Sequence, residues 1–352
     1  MEEEAEGAAS GAGRSQTGRR PSVSTQSAAT AAATAEAPAE IAIDASPGAT
    51  TGSPPDTSRA GLRCTPIHPL FAARAEGLDL RRPLSDEQKT ALKAAMDHYA
   101  VLVLPGQAMS DDEQAAFAQQ FGRIEDTPTL VDQERRRLPN LKINDISNLG
   151  PDGKIWPADD RRRMFNLGNL LWHSDSSFKP TPAYWSMLQA KVIPPEGGET
   201  EFIDTRVAWD RLPAKLKAEV KDLVAYHSLI YSRAQLGFEA FSPEEAERCK
   251  PVPQRLVRRH PESGRLALYL SAHIGAIEGM PRPEAMALIR DLIEFATRRE
   301  FVYQHHWTVG DLVIWDNRCT MHRGVRYDDK TVPRDLRRVT LEDVAPTLEQ
   351  PL

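Results

Sequence analysis

Four short stretches of this 352-residue chain carry the residue types that hold metals and anions. The first is Trp172-His173-Ser174-Asp175. Side chains on an extended segment repeat every two residues, so an imidazole and a carboxylate would leave it on one face, ready to share a cation. The second is Trp315-Asp-Asn-Arg-Cys-Thr-Met-His322-Arg-Gly324, in which His322 follows the apolar run Asp311-Leu-Val-Ile-Trp315. Two histidines and one carboxylate on one side of a metal leave three coordination positions open, the facial arrangement of non-haem Fe(II) oxygenases. A closed zinc centre needs a fourth protein ligand, which neither stretch plainly supplies. The third stretch, Arg334-Asp-Leu-Arg-Arg338, sets two guanidinium forks four residues apart on a shared face. Each fork can bind a carboxylate through charge-assisted hydrogen bonds, so the pair suggests two anions, one from a cosubstrate and one from a substrate. The fourth, Gly197-Gly-Glu-Thr200, reads as a turn ending in a hydroxyl that could share an anion with Arg334.

These residues need strands and turns to bring them together, and the pattern provides them. Ser85-Asp-Glu-Gln88 is a capping box that opens a helix with Leu92, Ala95 and Met96 on its apolar face. Tyr99 to Pro105 reads as a buried strand stopped by Pro-Gly, and Ser110-Asp-Asp-Glu113 caps a second helix through Phe121. Another strand is expected from Tyr184 to Ile193, helices near 213–225, 243–249 and 283–299, and late strands over Phe301–Trp307, Asp311–Trp315 and Arg337–Leu341. Strands at both ends with helices between them do not alternate as a parallel doubly wound sheet requires. There is no internal repeat.

Composition bounds the rest. Of the first 60 residues 42 are Ala, Gly, Ser, Thr or Pro and the first aromatic is Phe71, so residues 1–62 are expected to be a disordered tail. Residues 63–345 are expected to form one domain and 346–352 a C-terminal tail. A net charge of −6 argues against nucleic acid as a partner. The chain has no apolar run of membrane-spanning length, no secretory leader is expected from its acidic first residues, and its three scattered cysteines form no CxxC pair. A cytoplasmic protein with no membrane partner is expected.

In this order the stretches resemble the TauD/TfdA family of Fe(II)- and 2-oxoglutarate-dependent dioxygenases. Within it they resemble the 2,4-dichlorophenoxyacetate branch more than the taurine branch. Supporting blocks are Ile67-His-Pro-Leu-Phe-Ala72, Leu171 to Phe178, Arg299-Glu-Phe-Val-Tyr303 and Gly310 to Arg318. The resemblance spans roughly 64–343. It implies a mainly β fold with packed and inserted helices around a double-stranded β-helix, or jelly roll. It also implies His173, Asp175 and His322 as iron ligands, and Thr200 and Arg334 as the holders of the distal 2-oxoglutarate carboxylate. Arg338 would bind the acidic group of a small organic substrate, with Asn169 and the backbone N–H of Ser177 beside it. Lys154 sits where herbicide-degrading relatives carry a lysine, whereas Leu130 stands where another lysine is expected. The cofactors so implied are Fe(II), O₂ and 2-oxoglutarate, the last as cosubstrate.

The implied reaction hydroxylates a small anionic substrate and releases succinate and CO₂. An aryloxyacetate would then fall apart to a phenol and glyoxylate. Two alternatives are the same chemistry on taurine, another sulfonate or an alkyl sulfate, and a metal-binding jelly roll without turnover. A homo-oligomer is left open. The other histidines, among them His227 and His273, are read as structural or surface residues, and Cys319 is read as a neighbour of the iron.

Overall fold

In the computed structural model residues 52–125 and 135–352 are described. Their strands are, in order, β1 (Arg63–Pro66), β2 (Ala73–Glu76), β3 (Val101–Leu104), β4 (Asn144–Ser147), β5 (Ala183–Val192), β6 (Thr200–Asp204), β7 (Val224–His227) and β8 (Val252–Arg255). There follow β9 (Val257–Arg259), β10 (Leu266–Leu268), β11 (Ile274–Ile277), β12 (Tyr303–His305), β13 (Leu312–Asp316), β14 (Thr320–Gly324) and β15 (Asp335–Glu342). The helices are α1 (Asp86–Tyr99), α2 (Asp111–Gln119), α3 (Arg161–Asn166), α4 (Thr205–Arg211), α5 (Ala214–Val220), α6 (Leu229–Ala234), α7 (Pro243–Arg248) and α8 (Arg282–Ala296). None is long and apolar enough to cross a membrane.

A seven-stranded sheet runs β1-β2-β3-β13-β5-β15-β4, antiparallel except where β2 meets β3. A three-stranded sheet, β12-β6-β14, lies against it. The inner strands β3 and β13 are apolar on both faces, and the two-residue period sorts their side chains and those of β5 and β15. Val101, Val103, Leu188, Val313, Trp315 and Leu336 pack with Phe202 of β6, and the Phe202 and Trp315 rings lie 5.5 Å apart. Leu102, Leu104, Met187, Leu312, Ile314 and Val339 face the other way, onto Leu92, Ala95 and Met96 of α1 and Phe117 of α2. A second apolar core joins α4 and α8 to β7, β11 and Met321 of β14.

The two capping boxes form as expected: Ser85 and Ser110 accept from the N–H of Gln88 and Glu113, whose side chains accept in return. Four expectations change. Ordered structure begins upstream of residue 63, because Leu62 is buried in the first core and its carbonyl accepts the Thr57 hydroxyl. The last residues are packed rather than a tail: buried Thr347 donates to Gln254, and Gln350 accepts from Arg258. The helix expected near 213–225 ends at Val220, since the following residues pair as β7 with β8 and β11. The strand expected over Phe301–Trp307 is reduced to Tyr303–His305. Residues 1–51 and the Leu130 position lie outside the described residues.

Candidate active site

His173 and His322 face each other across an isolated antiparallel bridge, each N–H donating to the other's carbonyl at 3.0 and 2.9 Å. Main chain therefore sets the spacing of the two rings, whose centroids are 4.3 Å apart. The segment is not the extended strand expected. After His173 the chain turns, with Ser176 at φ 51°, and this turn swings Asp175 back between the rings. Asp175 Oδ1 lies 3.8 Å from His173 Nε2, and its Oδ2 lies 3.8 Å from His322 Nε2. These separations are too long for hydrogen bonds.

Partners around the three side chains fix their aim. His173 Nδ1 is 2.7 Å from the Leu171 carbonyl, which can only accept, so Nδ1 carries the proton and Nε2 keeps its lone pair. Asp175 Oδ2 accepts from the Ser186 hydroxyl at 2.7 Å, and the Asp175 N–H donates to Asn317 Oδ1 at 3.1 Å. Asn317 donates in turn to Ser186 Oγ at 2.9 Å. Arg338 of β15 donates to Asp175 Oδ1. Burial alone would raise the Asp175 pKa, but Arg338 and the two imidazoles hold it below the usual carboxylate value. Burial, with the neighbouring ring, pushes His322 well below its usual value, and burial lowers His173. Two neutral imidazoles and a carboxylate are the protonation states a divalent metal needs. The donor set fits iron: two nitrogens and one oxygen, all buried and within 4.8 Å of one another.

Two cavities border this cluster. The smaller, about 60 Å³, is walled by His173, His322, Trp315, Thr200, Arg334 and Arg338. Thr200 opens β6, and its oxygen accepts from Trp307 Nε1 at 3.1 Å, leaving the hydroxyl proton to donate inward. Arg334 stands just before β15, with Nε and Nη2 on the Gly198 carbonyl at 3.2 and 3.0 Å. No carboxylate of the described residues pairs with it, and burial pushes its pKa down to about 10. The tandem glycines allow this approach. Gly198 has φ 76°, and a Cβ there would stand 2.7 Å from Pro194 and 3.3 Å from Arg334 Nε.

The larger cavity, about 150 Å³, is reached by His173, Asp175, Asn169, Arg338, Arg233 and His273. Asn169 sits on the short 3₁₀ turn Leu167–Leu170 and touches both cavities. Most of the expected side chains thus converge. At Ser177 the expectation concerns the backbone N–H; its side chain is fully buried with Oγ 2.9 Å from His227 Nδ1, while its neighbours Ser176 and Phe178 reach the cavity. Lys154 is exposed in a turn and lines neither cavity. Cys319 is also displaced from its expected place. It is buried in a small cluster with Ala100 and Ala267 and lies near His260 and Asp316, not the triad. The sequence reading overlooked His273, whose ring is 6.0 Å from that of His173, as well as Arg233, Ser186 and Asn317. Asn317 lay in plain view inside the Trp-Asp-Asn-Arg block. Nothing local marked the other three.

Comparison with known proteins agrees with this geometry. Residues 63–340 match the family model described as taurine catabolism dioxygenase TauD, TfdA family. The chain is 46% identical over 280 residues to an alpha-ketoglutarate-dependent 2,4-dichlorophenoxyacetate dioxygenase of Cupriavidus pinatubonensis, covering 80% of this chain and 97% of that one. It is 36% identical to an (S)-phenoxypropionate/alpha-ketoglutarate-dioxygenase of Sphingobium herbicidovorans, over 75% of this chain and 89% of that one. Among solved structures, AAD-2 in complex with Mn(II) and N-oxalylglycine aligns with a TM-score of 0.79 at 50% identity, covering 81% of this chain and 99% of that one.

Proposed function

Given that this chain belongs to the TauD/TfdA family and is an Fe(II)- and 2-oxoglutarate-dependent dioxygenase, we propose that it cleaves an aryloxyacetate-type carboxylate to a phenol and glyoxylate. The observation that carries this reading is the position of the His173, Asp175 and His322 donor atoms on the wall between two cavities. One cavity offers a hydroxyl and an unpaired guanidinium, Thr200 and Arg334. The other offers Arg338. The fold we assign is a double-stranded β-helix. Support comes from the chain order, in which β5 and β6, and then β13, β14 and β15, alternate between the two sheets.

His173 Nε2, one Asp175 oxygen and His322 Nε2 hold the iron. Fe(II) with 2-oxoglutarate and O₂ supplies, when bound, an oxidation able to hydroxylate a carbon–hydrogen bond, with succinate and CO₂ as co-products. Thr200 and Arg334 hold the distal carboxylate of 2-oxoglutarate, and the apolar wall of Leu188 and Trp315 keeps water from the small cavity. Arg338 anchors the substrate acid, assisted by Asn169 and the Ser177 backbone N–H, so that the carbon bearing the ether oxygen faces the metal. Hydroxylation there gives a hemiacetal that collapses to phenol and glyoxylate. Ser186 and Asn317 keep the Asp175 carboxylate turned to the metal.

The test is succinate and phenol release from purified protein with Fe(II), 2-oxoglutarate and O₂, offered phenoxyacetate, 2-phenoxypropionate, taurine or a medium-chain alkyl sulfate. Equal amounts of succinate and phenol with a phenoxy acid support the reading. Succinate with only taurine or the sulfate overturns the substrate and keeps the chemistry.

A further inference from the structure

Besides Arg338, the larger cavity is lined by Arg136, Arg162, Lys179 and Arg233, and the assignment above gives none of these four a task. Arg233 lies on α6, is only 6% exposed, and lines the cavity together with Arg338 and His273. Its Nε has no hydrogen-bond partner, and no carboxylate of the described residues forms an ion pair with it. One nitrogen reaches the Ser232 hydroxyl at 3.3 Å, and that hydroxyl also contacts His273 Nδ1 at 2.8 Å. The guanidinium carbon stacks 4.5 Å over the Phe165 ring. It also lies against Gly168, where a Cβ would come within 2.2 Å of the group. This seat of ring, bare glycine and hydroxyl fixes the guanidinium without neutralising it. Burial, reinforced by Arg338, pushes its pKa down to about 10.

An uncompensated buried charge is costly, and a fork held by packing is preorganised to receive an anion. Arg338 points to the same deficit. It donates to Asp175, yet its Nε is also buried without a partner. Both guanidinium groups line the cavity, one from β15 and one from α6, and each has a buried Nε with no hydrogen-bond partner. The single acid group of an aryloxyacetate can accept from both.

We propose that Arg233 is a second anchor for the substrate's acid group and, with Arg338, sets the enzyme's requirement for an anionic substrate. This rests on the substrate reading above. Arg338 holds the acid near the metal side, and Arg233 closes on it from the helical side. Since Arg233 lines the larger cavity and not the smaller one, its loss should leave 2-oxoglutarate binding intact.

The experiment titrates phenoxyacetate and its neutral counterpart phenoxyacetamide, by calorimetry under nitrogen, into full-length protein loaded with Fe(II) and 2-oxoglutarate. Arg233→Met should weaken acid binding by about tenfold to a hundredfold, the scale of a lost charge-assisted hydrogen bond. Amide and 2-oxoglutarate affinities should stay unchanged. Arg233→Lys should recover part of the loss, and Gly168→Ala, which displaces the guanidinium without removing it, should weaken the acid in the same direction. Acid binding by Arg233→Met at the wild-type level overturns the proposal, as does equal loss of acid and amide, the mark of a packing role. A wild type that ignores phenoxyacetate but binds an alkyl sulfate or taurine refutes the aryloxyacetate reading. Arg233 is then judged by the same variants on that anion. A wild type that binds none of these anions overturns both.

Discussion

Two buried clusters in this molecule combine a histidine with an aspartate, and both draw on the stretch that runs from the end of β13 into β14. His173, Asp175 and His322 meet beside the outgoing strand β14. His260, Asp316 and Cys319 meet at the turn from β13 into β14. Residue types and burial are nearly the same. What differs is what the side chains have left over. Asp316 is held by Arg318, two residues away, through Nε at 3.0 Å and Nη2 at 2.7 Å, and also by Trp185 and His260. His260 uses its other nitrogen on Ser263, and burial keeps the Cys319 thiol protonated by raising its pKa well above the usual value. That cluster is saturated, and none of its three residues lines either cavity at the triad. In the first cluster both Nε2 atoms converge on Asp175, and the side chains open onto two cavities. A metal site is recognised by unspent donor capacity rather than by composition.

The sharpest way to break that contrast is to remove Asp175. Asp175→Ala should abolish iron binding and lower succinate formation by about a thousandfold or more, as expected when one member of a unit is lost. Metal content after dialysis and a single-turnover assay check both. The matching change in the other cluster, Asp316→Ala, should leave metal stoichiometry intact in the folded protein. It should instead cost about 3–5 kcal/mol of stability by removing the buried partner of Arg318, whose closest remaining pair is with half-exposed Glu262, seen as a lower denaturation midpoint. If Asp316→Ala lost iron first, the two clusters would not be separable.

Asn317 bridges the comparison, since it follows Asp316 in sequence yet bonds to the Asp175 N–H and to Ser186. Asn317→Ala should weaken iron binding by about 10–100-fold while leaving affinity for the substrate acid little changed. Equilibrium metal titration would detect this. The smallest expected effect concerns Asp97, near the saturated cluster. Burial first, then Glu262 and Asp316, push its pKa up to about 7, and its Oδ1 has no hydrogen-bond partner. A carboxyl that binds its proton more tightly when folded destabilises the protein as pH rises from its unfolded value, about 4, through about 7. Asp97→Asn should therefore raise the melting midpoint at pH 8, and the gain should vanish below about pH 4. A gain independent of pH would assign the effect to packing.

The sequence exposed the chemistry better than its surroundings. The triad, Thr200, Arg334 and Arg338 were legible because each sits in a short block whose residue types have few other reasons to occur together. The strand pattern around Val101–Leu104 and Leu312–Asp316 was legible because both faces are buried and the runs are continuous. The second half of the larger cavity was not. Arg233 and His273 reach it from α6 and from the segment before β11, far from the motif blocks, and their facing is decided by packing on Phe165 and Ser232. Asp175 meets the two histidines through a turn and not by the strand alternation expected. Thr57 and Leu62 show that a composition boundary marks where apolar residues become frequent, not where the first of them is buried.

The paired backbone bonds between His173 and His322 carry a last consequence, for the kinds of genetic change this centre can survive. Many side-chain replacements around it leave that pairing in place. A single-codon insertion or deletion in the turn Asn317–Cys319 does not: it would shift every later residue of β14 by one and rotate its faces. Met321 or Arg323 would then stand opposite His173, and neither can complete the ligand set. The length of that turn should be as intolerant of change as the ligands themselves.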